Sequence, residues 1–181
     1  MSRPVSGLLL LVGLAACRAS EASRKGHMEA TWTGADTGRL SGGALAEWCD
    51  EQRRLEIRTV AGDTGLAVAV FPAVVLSPDS YRVVAAGSKD SAAPSARVAL
   101  RWFGKTAIYG FQGDSGIVLL ERTDSGQLTG RLTARGSSVS NSQRVTIRGE
   151  FQNLAVVPQG RGCTADSTDT DSEPADSGRI D

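Results

Sequence analysis

From position 128 to 151 the chain alternates in twos. Leu128, Gly130, Leu132 and Ala134 fall on one face, and Thr129, Arg131, Thr133 and Arg135 on the other. Val145, Ile147, Gly149 and Phe151 repeat the pattern against Arg144, Thr146, Arg148 and Glu150. Successive side chains of a strand point to opposite faces, so this period belongs to strands with one face buried and one wet. A parallel sheet covered on both faces would read as continuous apolar runs instead. The chain is therefore expected to pair its strands antiparallel around one apolar interior.

Upstream the same reading continues. Strands are expected over 29–33, 55–61, 66–71, 81–86, 97–103, 107–112 and 117–123. Residues 39–48, rich in small side chains, fit either a bulged strand or one short helix. Gly62-Asp63-Thr64-Gly65, Gly104-Lys105, Gly113-Asp114-Ser115-Gly116 and Asp124-Ser125-Gly126 read as turns, because glycine supplies positive φ where hairpins need it. About nine or ten short strands joined by tight turns make an all-β domain, a single antiparallel β-barrel or a β-sandwich. A chain of 181 residues is enough for one such domain.

The N-terminus is different in kind. Arg3 precedes an apolar run over 5–16, too short to span a bilayer as a helix and placed as a signal peptide would be. Its end, Leu14-Ala15-Ala16-Cys17, resembles the lipobox of bacterial lipoproteins. That resemblance implies cleavage before Cys17, acylation of Cys17, and an extracytoplasmic protein anchored to the cell envelope. With Arg18 rather than aspartate next, it implies outer-membrane sorting if the organism is Gram-negative. An ordinary secretory signal is the other reading of the same residues. The expected organisation is a signal peptide (1–16), a lipid-anchored polar tether (17–27), an antiparallel β domain (28–163) and an acidic disordered tail (164–181).

Assigning Cys17 to lipid leaves Cys49 and Cys163, which an oxidising compartment favours as a disulfide. Two buried free thiols are the alternative. The bridge would close a loop of 115 residues, for which the chain-entropy account gives about 4–5 kcal/mol. The single histidine, His27, falls in the tether, and two distant cysteines with one histidine do not compose a zinc site. No cofactor is expected.

Twenty basic and twenty acidic residues balance, which argues against non-specific nucleic-acid binding. Gly113-Asp114-Ser115-Gly116 resembles the nucleophile motif of trypsin-like serine proteases but lacks the glycine and proline that follow there. A triad also needs a histidine within reach, and Gly62-Asp63-Thr64-Gly65 repeats the turn without a serine. Asp63, Asp114 and Asp124 all sit in expected turns, where aspartate bonds its own backbone.

The arginines of the last two strands are the remaining candidates. A register placing Arg135 opposite Arg144 also places Arg131 opposite Arg148, and like charges directly opposite repel. Arg131, Arg135, Arg144 and Arg148 then form a face to be covered by an anionic ligand, an acidic envelope polymer or protein, or the chain's own tail. Solvent-screened arginines are the plain alternative. Trp32, Trp48, Trp102, Phe103, Tyr109 and Phe111 would either fill the core or line a ligand cavity. The expected function is a non-catalytic binding or structural module of the envelope. A calycin-like carrier of a small apolar ligand is the alternative, and a small hydrolase with an unidentified site the third.

Overall fold

In a computed structural model, which describes residues 26–88 and 93–158, the period-two patterning is realised as ten strands. They are β1 (Gly26–Gly34), β2 (Gly38–Cys49), β3 (Arg54–Ala61), β4 (Thr64–Phe71), β5 (Asp79–Val83), β6 (Ser95–Phe103), β7 (Ile108–Arg122), β8 (Leu128–Ser138), β9 (Arg144–Leu154) and β10 (Val156–Pro158). Residues 39–48 lie in β2, so the short helix is not formed.

One pairing decides between barrel and sandwich. β1 bonds β9 along one edge and β2 along the other, both antiparallel. The order β1-β9-β8-β7-β6-β4-β3-β2 thereby returns to β1, and the sheet closes into a barrel. Two elements depart from a pure antiparallel meander. β5 wedges between β6 and β7 for part of their length, parallel to the first and antiparallel to the second. β10 runs parallel to β2, alongside Ala46–Trp48, past the point where β1 pairing ends at Ala44.

The expected turn at 113–116 is not a turn. β7 runs straight through it, pairing β6 before Gly113 and β5 from Ile117 onward. The glycine-flanked Asp114-Ser115 is a bulge, marked by a register shift between Gly113 and Ser115. Gly and Asp suit a bulge as well as a turn; β8 decides the matter, because it ladders with both halves of β7 from Phe111 to Arg122. Gly116, at φ 133°, has no room for a side chain, since a Cβ there would lie 2.1 Å from the Thr133 carbonyl oxygen. The hairpin at Gly62-Asp63 is genuine. Ala61 pairs Thr64, and Gly62 at φ 61° takes the first central position.

Strand directions sort the connections to two ends. The β1–β2, β3–β4, β6–β7 and β8–β9 turns lie at one, the tip end. Gly26, the β2–β3 and β7–β8 turns, the 72–78 segment and Pro158 lie at the other, the terminal end.

The inward residues meet as one core. Met28, Ala30 and Trp32 of β1 join Leu66, Val68 and Val70 of β4, Val118 and Leu120 of β7, and Leu132, Ile147 and Phe151. Near the tip end an aromatic stack crosses the interior. Trp32 and Trp102 lie 5.4 Å apart at centroids, and Trp102 also stacks on Phe111 at 5.2 Å and Tyr109 at 5.3 Å. β1 and β6 stand on opposite sides of the closed sheet, so the stack bridges the barrel interior near that end. Gly38 makes the space, for a Cβ there would come within 2.2 Å of the Trp32 ring. Of the remaining aromatics suggested for a cavity, Phe103 faces solvent at the tip rim and Trp48 lies at the terminal end.

Candidate functional site

The β8–β9 hairpin sets the positions of four candidate arginines. Its loop is closed by the Ser138 amide donating to the Gln143 carbonyl at 2.9 Å, while the Asn141 side chain accepts from the Gln143 amide at 2.8 Å. Gly136, Ser137 and Ser138, loop-like in composition, are taken into β8. The ladder is therefore shifted by two residues from the expected one. Arg131 faces Glu150, Thr133 faces Arg148, Arg135 faces Thr146 and Ser137 faces Arg144. A shift of two keeps every side chain on its face but changes every partner. The like-charge pairs Arg131/Arg148 and Arg135/Arg144 do not form.

The four arginines also separate in role. Arg144 belongs to Asp114, the bulge residue of β7, with Nη2 at 2.7 Å from Oδ2. The hydroxyls of Ser137 (2.6 Å) and Ser115 (2.9 Å) donate to the same carboxylate. The Ser137 bond above all, then those from Ser115 and Arg144, hold the Asp114 carboxyl below its ordinary range against the opposing effect of partial burial. This cluster pins β7, β8 and β9 together, and Ser115 spends its hydroxyl on a carboxylate. Arg135 stands exposed between Ser115 and Thr146.

Arg131 and Arg148 converge on an open groove of about 780 Å³ on the outer wall, and Arg39 of β2 joins them. No local pattern connects position 39 with 131 or 148. The link is β1, whose Thr31 lies opposite both Arg39 and Arg148. The outward side chains form two rows across four strands. Arg39, Thr31, Arg148 and Thr133 make one; Ser41, Glu29, Glu150 and Arg131 make the other. Among the described residues none of Arg39, Arg131 and Arg148 forms an ion pair. The contrast lies on β2 and β3, where Glu47 faces Glu56 and two arginines answer them. Arg58 bonds Glu47 and approaches Glu56 at 3.5 Å, and Arg54 meets Glu56 at 3.2 Å. That patch satisfies itself; the groove leaves its guanidinium groups available.

His27 is the residue that sequence reasoning misplaced. β1 begins at Gly26, so the imidazole sits in the strand, opposite Gly43, rather than in the tether. Its Nε2 lies 3.1 Å from Ser41 Oγ and 3.2 Å from Glu29 Oε1. Both contacts fall on one nitrogen, whereas a serine–histidine–acid relay needs the acid on the other. Asp63 and Asp124 stand in turns at opposite ends of the barrel, with Asp114 inside β7 between them, so the three carboxylates are not assembled. Among the described residues no three metal-ligating side chains are grouped, and no helix is long and apolar enough to cross a membrane. Cys17, Cys163 and the acidic tail lie outside the described residues. Compared with known protein families, curated proteins and solved structures, the chain matches none.

Proposed function

We propose that this chain is a lipid-anchored, non-catalytic binding module of the bacterial envelope whose groove takes the anionic groups of an acidic envelope polymer. One observation carries the reading: Arg39, Arg131 and Arg148 reach a single open groove with no carboxylate bound to any of them. Guanidinium groups bond carboxylate and phosphate through paired N–H donors, about twice as strongly as neutral donors would. Glu29 and Glu150, adjacent across β1 and β9, supply acceptors for hydroxyl or amino groups beside each anion. An open, wet groove gives little affinity per contact, so a repeating ligand that engages several sites suits it better than a single small anion.

The test is binding to polygalacturonate and polyphosphate at low salt. Arg131→Glu combined with Arg148→Glu is expected to weaken binding at least tenfold, whereas Arg135→Glu, outside the groove, leaves it nearly unchanged. Equal binding by the double variant and the wild type overturns the assignment.

The anchor belongs to the same reading, through acylation of Cys17 and outer-membrane sorting in a Gram-negative cell. So does a Cys49–Cys163 bridge. It is supported by Cys49 being 1% exposed at the end of β2 and by β10 leaving at Pro158, opposite Trp48. The five residues from there to Cys163 span up to about 17 Å, ample for the closure. Mass spectrometry of the native protein reads both modifications. A small-apolar-ligand carrier is the second reading, favoured by barrel closure and by the buried Trp32 indole N–H, which has no hydrogen-bond partner among the described residues. A molecule released on denaturation would identify it.

A further inference from the structure

We infer that the terminal end of the barrel rests on the bilayer, with the 73–76 loop and Trp48 seated in the lipid interface. The inference rests on the anchor reading above and adds an orientation that anchoring alone does not require. Val74 and Val75 are 69% and 68% exposed, the most open apolar pair of neighbours at this end. They are held in place: the Arg53 guanidinium donates to the Val74 carbonyl, and Leu76 packs against the core. Trp48, Asp50, Arg53, Val74, Val75 and Leu76 line one shallow depression. The Trp48 indole N–H donates to Asp50 at 2.6 Å, and the half-buried ring packs partly against the core. An aromatic with a satisfied polar edge, next to aliphatic side chains and an arginine, is the composition of a membrane interface.

The chain supplies the second argument. β1 enters at this end, and only eight residues separate Gly26 from Cys17. Fully extended they reach about 30 Å, so an acylated Cys17 keeps this end, rather than the tip end, close to the headgroups. Those eight carry Arg18, Arg24 and Lys25 against Glu21. A net positive tether draws the same end toward an anionic leaflet. The tip end has its own apolar rim, Phe103, Ile108 and Val139, and is the face that must stay away from lipid for the inference to hold.

The test is amide hydrogen exchange of the full-length protein on phosphatidylethanolamine–phosphatidylglycerol vesicles, compared with Cys17→Ala in solution. Amides of 73–76 are expected to exchange at least fivefold more slowly on vesicles, and those of 104–107 at an unchanged rate. Val74→Asp with Val75→Asp should keep the protein on the membrane while abolishing the protection. If wild type sediments with vesicles yet 73–76 is unprotected, or if 104–107 is protected instead, the inference is overturned and the anchor stands. Wild type remaining soluble like Cys17→Ala overturns both.

Discussion

Asp114, within the expected turn at 113–116, is the residue on which the side-chain bonds of the bulge converge. Its carboxylate accepts from Ser137, Ser115 and Arg144 at the place where β7 changes partner. Replacing it with asparagine should cost about 1–2 kcal/mol at neutral pH, since bonds to a charged acceptor exceed neutral ones but this group is not deeply buried. The pH dependence follows from its depressed pKa. A carboxyl that binds its proton less tightly when folded stabilises the native state above its unfolded value, near 4. That contribution fades as pH falls through the lower folded value. Urea unfolding of wild type and Asp114→Asn at pH 7 and at pH 2.5 should therefore show a gap that closes in acid. Two residues along, Gly116→Ala meets both a positive φ and the Thr133 carbonyl. It should cost more than about 3 kcal/mol by thermal melting. Gly43→Ala, where nothing lies within 4 Å of a new Cβ, is the control and should be nearly neutral.

At the scale of elements, the faces were legible and the partners were not. Leu128, Leu132, Val145, Ile147 and Phe151 are buried as their alternation requires, because period two depends only on the strand itself. Register depends on where the hairpin closes. Gly136-Ser137-Ser138 carries no apolar signal to say that it continues β8, so the register that the arginines suggest lies two residues from the one formed. The same reason hid His27 and Arg39: polar residues on an outward face leave no trace of the strand beside them. Sequence does not distinguish core from cavity for the aromatic stack, since a tryptophan on an inward face looks alike in both. Trp102 shows its importance, touching Trp32, Tyr109 and Phe111 at once. Trp102→Ala should cost about 3–5 kcal/mol and remove much of the near-ultraviolet circular dichroism, while the binding proposed for the groove on the opposite face of β1 should keep its affinity.

For the whole molecule, closure is the fact that sequence patterning could not decide, because barrel and sandwich use the same alternation. It rests on β1 holding β9 and β2 together. The proposed Cys49–Cys163 bridge would add a second constraint across the terminal end. Replacing both cysteines with serine should lower stability by about 2–5 kcal/mol, read as a fall in melting temperature that reductant reproduces in the wild type. Closure has another consequence, for molecules crowded on a surface. A sheet joined to itself presents no free row of amides for a neighbour to extend. Among the described residues the open margin is β10, three residues long and ending at Pro158, which has no N–H to offer a further strand. Were copies held side by side by the proposed anchor, where encounter is frequent, this topology would protect them from templating one another into fibrils.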